Sequence, residues 1–145
     1  MVRQNMKDSL IALRDIEKNY KSVLLAITKR SKLTIAEWQL LLQIEAGYRT
    51  QEQLSDATKL DTSTLSRQLK NLVTKEMLQK TPTGRDKRQL VYSMSQAGKK
   101  AIIEIDAAFA DLSTRIFDRW TDEENNLLRI LLNRLDKSIA RVSKQ

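Results

Sequence analysis

Chain breakers are scarce: three glycines and one proline stand among 145 residues. Glycine and proline are the residues that most strongly interrupt helices, so the chain must be mainly helical, with its breaks confined to a few places. Two of the four breakers, Pro82 and Gly84, are separated by a single residue. Beside them the apolar period changes. Leu90, Tyr92 and Met94 alternate with Gln89, Val91 and Ser93, the pattern of a half-buried strand. Residues 78–82 and 88–94 therefore read as a hairpin whose turn is marked by Pro82 and Gly84.

Elsewhere the period is helical. Leu10, Leu13, Ile16, Tyr20, Leu24 and Ile27 form a stripe that predicts a first helix from about Asn5 to Lys29. Thr34 and Glu37 make a T-x-x-E capping box for a second helix, which carries Trp38, Leu41, Leu42 and Ile44 and stops at Gly47. Thr50 with Gln53 repeats the device for a short third helix that turns Leu54 and Ala57 inward and ends near Lys59. After the turn at Leu60-Asp61, a fourth helix takes Leu65, Leu69, Leu72 and Val73 inward. It leaves Thr64, Ser66, Arg67, Lys70 and Asn71 largely outside. Two short helices joined by a tight turn are a helix-turn-helix. Ser95 caps a long fifth helix through Ile102, Ile105, Ala108, Phe109 and Leu112 to about Arg119. Thr121 with Glu124 caps a sixth, whose apolar face is Leu128, Leu131, Leu132, Leu135, Ile139 and Val142. The fold class expected is mainly α with a small β-hairpin wing.

The chain has no cysteine and no histidine. Disulfides, thiol chemistry and the usual zinc ligands are thereby excluded, and neither a metal, a cofactor nor a catalytic residue is expected. The carboxylates of Asp118, Asp122, Glu123 and Glu124 cluster at a helix start, where the dipole favours them without any catalytic reason. An enzyme is not expected. The first residues, Met1 to Lys7, lack the apolar segment of a signal peptide, and no uncharged run approaches the roughly 18 residues of a membrane span. The expectation is a cytoplasmic protein without a membrane partner.

Net charge is +8, and residues 62–90 hold 7 basic groups against 2 acidic ones, whereas residues 91–145 hold 9 against 8. The largest local excess thus falls on the fourth helix and the hairpin, as an electrostatic footprint for phosphates requires. The side chains there suit double-stranded DNA. Short residues at the helix start let the backbone approach base edges in a major groove, and Arg67 is long enough for a bidentate contact with guanine. Thr62, Ser63, Thr64 and Ser66 can donate to phosphates or bases, and the free N–H groups of a helix start favour a phosphate. Lys70 and Lys75 suit phosphates. N-capping accounts for one residue, Asp61 or Thr62, but not for four hydroxyls and an arginine together. At the hairpin tip, Arg85, Asp86, Lys87 and Arg88 place a carboxylate between two guanidinium groups, so that one is held while the other reaches outward into a narrow minor groove. The rival reading is an architectural nucleic-acid-binding protein that uses charge alone.

In these pieces the chain resembles the MarR family of winged-helix transcription regulators over nearly its whole length. The similar elements are Leu33-Thr34 with Trp38, the Asp61-x-Ser63-Thr64-Leu65-Ser66-Arg67 helix start, and Leu69-x-x-Leu72. The wing Asp86-Lys87-Arg88 and the Met94-Ser95-Gln96-Ala97-Gly98 entry into the fifth helix follow. The resemblance implies a homodimer with winged helix-turn-helix lobes on a helical dimerisation base. It also implies a pseudo-palindromic promoter site and, usually, repression relieved by a small ligand. Matched by position, Ser63, Thr64, Ser66, Arg67 and Lys70 correspond to the groove-reading helix, and Asp86 and Arg88 to the wing. Arg85 falls at a variable wing position. Glu76 stands where the family usually has glycine, so the fourth helix is expected to end without a left-handed cap or to run slightly further. Lys80 replaces a common arginine.

The chain reads as one domain, with residues 33–96 as the DNA-binding lobe and residues 1–32 and 97–145 as the dimerisation region. Leu10, Leu13, Leu128, Leu131, Leu132, Leu135 and Ile139 are the residues expected to pair between subunits, because terminal apolar stripes are hard to bury within one such chain. An effector site, if present, is expected near Tyr20, Trp38 and Phe109, on the family likeness and the placing of the aromatics.

Overall fold

The structure is a computed structural model that describes residues 6–85 and 88–144. Its elements are α1 (Ser9–Arg30), α2 (Ile35–Glu45), α3 (Gln51–Thr58), α4 (Thr62–Thr74), β1 (Leu78–Thr83), β2 (Gln89–Met94), α5 (Gln96–Ile116) and α6 (Asp122–Ser143). They divide into two compact units, Met1–Ala108 and Phe109–Gln145. The first unit takes α1 and the first half of α5 together with the segment expected to form the lobe; the second holds the end of α5 and all of α6. Among the described residues, no helix is long and apolar enough to cross a membrane.

The core of the first unit gathers one face from each element. Leu24 and Ile27 of α1, Leu40, Leu41 and Ile44 of α2, and Leu54 of α3 are all buried. So are Leu65, Leu69 and Leu72 of α4, Leu78 of β1, Tyr92 of β2, and Ile102 and Ile105 of α5. α1 joins this core only through its C-terminal half. Leu10, Ile16 and Tyr20 stand 63%, 57% and 52% exposed. The helix also starts later than the stripe predicts, at Ser9, because the Asp8 carboxylate accepts the Leu10 N–H at 3.3 Å and caps it there.

Three helices close on left-handed residues with paired backbone bonds, and only one of these residues is glycine. After α1, Lys32 (φ +62°) donates to the Lys29 carbonyl at 2.9 Å and Leu33 to Thr28 at 3.0 Å. After α2, Gly47 (φ +114°) donates to Ile44 and Tyr48 to Gln43, each at 3.1 Å. After α4, Glu76 (φ +63°) donates to Val73 at 2.9 Å and Met77 to Leu72 at 3.0 Å. All three are Schellman closures. Glu76 therefore does form a left-handed cap, against the expectation from its side chain. The two backbone bonds and the burial of Met77 beside the helix end outweigh a cost of about 1 kcal/mol for a Cβ in that conformation.

β1 and β2 pair antiparallel from Leu78↔Met94 to Thr83↔Gln89. Pro82 sits inside β1 opposite Leu90 rather than in the turn, which its missing N–H permits because both strands of a two-stranded sheet are edges. The turn opens at Gly84, which has φ +89°, and Arg85. The hairpin is tied to the helices at its other end. Thr50 bridges Val91, and the Tyr92 N–H donates to the Arg49 carbonyl at 2.8 Å, so the linker before α3 acts as a short third strand. Ser95 then caps α5, accepting from the Gly98 N–H at 3.2 Å while its own hydroxyl donates to the Glu76 carbonyl at 2.6 Å. A Cβ on Gly98 would collide with the Met77 carbonyl oxygen, so glycine alone fits this helix start.

In the second unit α5 ends at Ile116, short of the expected Arg119, in a turn where Phe117 and Trp120 pack edge to face with centroids 5.1 Å apart. Thr121 and Glu124 form the predicted capping box of α6. No residue of α6 is buried. Leu131 is half exposed, Leu132 and Ile139 are exposed, and Leu128 and Leu135 are half-buried.

If the closure of α4 outweighs a side-chain penalty at Glu76, removing the Cβ relieves it. Glu76→Gly is expected to raise the unfolding free energy by about 1 kcal/mol in urea denaturation. An unchanged or lowered value would mean that the glutamate side chain stabilises the turn by as much.

Candidate nucleic-acid interface

The helical period sorts α4 into two faces. Leu65, Leu69 and Leu72 lie in the core, while Thr62, Ser63, Ser66, Arg67 and Lys70 are exposed and Thr64 is half-buried. The polar face begins at the helix start, where Asp61 is the N-cap. Its Oδ1 accepts the Thr64 N–H at 2.7 Å and the Ser63 hydroxyl at 2.9 Å. These bonds hold the Asp61 carboxyl below its usual value of 3.8, the Thr64 backbone N–H first and the side chains of Thr64 and Ser63 next, with the Arg67 charge the smallest contribution.

The hydroxyls are not equivalent. Ser63 donates its hydroxyl hydrogen bond to Asp61, so it faces outward with lone pairs only and suits an amino group on a base edge rather than a phosphate oxygen. Ser66 accepts the Gln51 Nε2–H at 2.6 Å, which leaves its own proton for an acceptor on a base or phosphate. The expectation that all four hydroxyls donate is corrected for Ser63. Gln51, in the first turn of α3, orients Ser66 and was not legible from periodicity or motif.

Lys75 is a second correction. Its ammonium lies 2.6 Å from Glu37 Oε1 and 2.8 Å from the Lys32 carbonyl oxygen, so it is engaged by these two oxygens rather than displayed freely for phosphates. Lys70 remains exposed on the polar face of α4.

Arg85 and Arg88 are exposed at the hairpin tip, while Asp86 and Lys87 lie outside the described residues. A cleft of about 260 Å³ is lined by Thr50, Gln51 and Glu52 together with Arg88, Gln89 and Leu90, so the wing root and the first turn of α3 share one surface. The residues expected to pair subunits are largely open: Leu10, Leu131, Leu132 and Ile139 are exposed, and Leu13, Leu128 and Leu135 half-buried. Of the aromatics expected near an effector, Tyr20 is exposed and Trp38 and Phe109 are half-buried. Among the described residues no group of three carboxylates is placed to hold a metal ion.

A helix-turn-helix made of α3 and α4, followed by a hairpin tied back to the α3 linker, is a winged helix-turn-helix. Residues 31–89 match the profile of the MarR family. The chain is 26% identical over 111 residues to YxaD of Bacillus subtilis, described as an uncharacterised HTH-type transcriptional regulator, covering 76% of this chain and 78% of that one. A mutant of S. aureus MepR superposes with a TM-score of 0.81 at 18% identity, covering 92% of this chain and 99% of that one. A mutant of E. coli MarR complexed with operator DNA superposes with a TM-score of 0.67 at 21% identity, over 86% and 90%. The winged-helix segment of this chain is thus similar to the MarR family of transcription regulators.

The low carboxyl of Asp61 carries a sign. Its native pKa is depressed, so the cap stabilises α4 above the unfolded value near 3.8 and that contribution is lost as pH falls through the native one. Carboxyl NMR is expected to give an Asp61 midpoint below 3.8. A midpoint at or above 3.8 would mean that the bonds to Thr64 and Ser63 do not persist in solution.

Proposed function

We propose that the protein is a dimeric, sequence-specific DNA-binding transcription regulator in the cytoplasm, a repressor of a pseudo-palindromic promoter site relieved by a small molecule. The observation that carries DNA reading is the exposed face of α4. It presents an acceptor hydroxyl at Ser63, a donor hydroxyl at Ser66, a guanidinium at Arg67 and an ammonium at Lys70 on a helix whose other face is buried. Such a helix enters the major groove, Arg67 addresses a guanine edge, and Lys70 takes a phosphate. Thr62 and Thr64 line the same helix start. Arg85 and Arg88, with Asp86 and Lys87 between them, supply the wing for the neighbouring minor groove.

A second copy covers the apolar faces. α6 buries no residue, and Leu10, Leu131, Leu132 and Ile139 are open to water, an arrangement that favours association. Two-fold pairing places two reading helices on half-sites about 34 to 36 Å apart. An effector near Tyr20, Trp38 and Phe109 acts only if it binds the DNA-free form more tightly than the DNA-bound form.

The alternative, an architectural protein binding by charge alone, is separated from this reading by base preference. Arg67→Ala is expected to weaken binding to the selected site by about 1 to 3 kcal/mol and to relax preference at one base pair, while Lys70→Ala weakens all sequences alike. These are read by anisotropy titrations on the site and on random duplex. An Arg67→Ala protein with undiminished preference would overturn the assignment of α4 as the reading helix.

A further inference from the structure

Three helix ends converge on one ammonium group. Lys75 is the C-cap residue of α4; its Nζ donates to Glu37 at 2.6 Å and to the backbone carbonyl of Lys32 at 2.8 Å. Glu37 is the third residue of α2, and the oxygen that takes the ammonium, Oε1, also accepts the Thr34 N–H at 2.9 Å in the capping box. Lys32 is the left-handed residue that closes α1. The Glu37 side chain is only 3% exposed while that of Lys75 is 35% exposed, so the carboxylate is buried with one cation beside it. A buried carboxylate requires such a partner, and two of the three N–H donors of Lys75 are thereby engaged within the protein.

We propose that Lys75 is a positioning residue for DNA recognition: through Glu37 and the Lys32 carbonyl it fixes the C-terminal end of the reading helix against α1 and α2. This rests on the DNA-binding function proposed above. The other end of α4 is capped by Asp61 through bonds within the helix itself, and its inner face is buried through Leu65, Leu69 and Leu72. Leucine packing resists lifting the helix more than it resists rolling or sliding it, whereas a charge-assisted bond at the far end restricts both. A small roll about the axis would move Ser63, Ser66 and Arg67 together off the base edges, because all three project from one face.

The sign of one substitution separates positioning from phosphate contact. Glu37→Gln keeps an amide oxygen for the Thr34 N–H, as Gln53 does for Thr50 in α3, and removes only the charge that holds Lys75. If Lys75 positions α4, then Glu37→Gln and Lys75→Met both lower affinity for a duplex selected by the wild-type protein, about tenfold each. They leave the salt dependence of binding unchanged, and the double variant loses no more than either single one. If instead Lys75 contacts a phosphate, Glu37→Gln frees it and affinity holds or rises, while Lys75→Met lowers the salt slope by about one.

The measurement is anisotropy on the selected duplex and on random duplex at several salt concentrations, with circular dichroism showing each variant folded at the temperature used. Paired, non-additive losses with an unchanged salt slope on the selected duplex, and little change on random duplex, are the result expected. Retained affinity in Glu37→Gln overturns the positioning role while leaving the reading helix intact. A wild-type protein with no preference between the two duplexes overturns the DNA-reading function itself, and the positioning role with it.

Discussion

Where the end of α1, the start of α2 and the end of α4 meet, the ion pair between Glu37 and Lys75 links all three, and the proposed positioning of α4 rests on it. Its burial is one-sided: the carboxylate is sealed at the start of α2, while the lysine stem runs from the end of α4 along the surface to reach it. Removing one partner from a fully buried pair costs about 3 to 5 kcal/mol, and the partial exposure of Lys75 places this pair below that range. Its importance lies less in energy than in direction. Hydrophobic burial holds α1, α2 and α4 together and ridge packing limits their crossing angles, while the Lys75 ammonium adds a directed link from the cap of α4 to Glu37 in α2 and to the Lys32 carbonyl just beyond α1.

Short connections are the second requirement, and the chain meets it almost without glycine. Lys32 and Glu76 adopt left-handed conformations that glycine usually occupies, and Lys59 does so between α3 and α4. Two of the three are followed directly by a buried apolar residue, Leu33 and Met77. The pattern is consistent: a left-handed turn lets the next side chain drop into the core, and that burial together with paired backbone bonds offsets the local strain. Gly98 is the opposite case, where the approach of the Met77 carbonyl leaves no room for any side chain and conformational freedom is beside the point. The result is that both ends of α4 are closed, one by a carboxylate cap and one by a Schellman closure.

What was legible in the sequence was local. The capping boxes at Thr34, Thr50 and Thr121, a cap at Asp61 or Thr62, the stop at Gly47 and the hairpin all depend on residues close in the chain, and the structure has each of them, with Asp61 as the cap and Pro82 inside β1 rather than in the turn. The polar face of α4 was legible for the same reason. What was not legible depends on distant partners. Glu76 looked unsuited to a left-handed cap because the stabilising contacts come from Met77 and Ser95. Lys75 looked like a phosphate ligand because Glu37, 38 positions earlier, read only as a capping residue. The bridge from Thr50 to Val91 and the bond from Gln51 to Ser66 leave no periodic trace at all.

The central claim is that two copies of the α4 face read DNA sequence together. Selection of bound duplexes from a random pool by the wild-type protein tests it most directly. The account predicts enrichment of two inverted half-sites with centres about 10 to 10.5 base pairs apart, retained at moderate salt. Recovery of duplexes with no shared motif, bound with an affinity set only by salt, would contradict it.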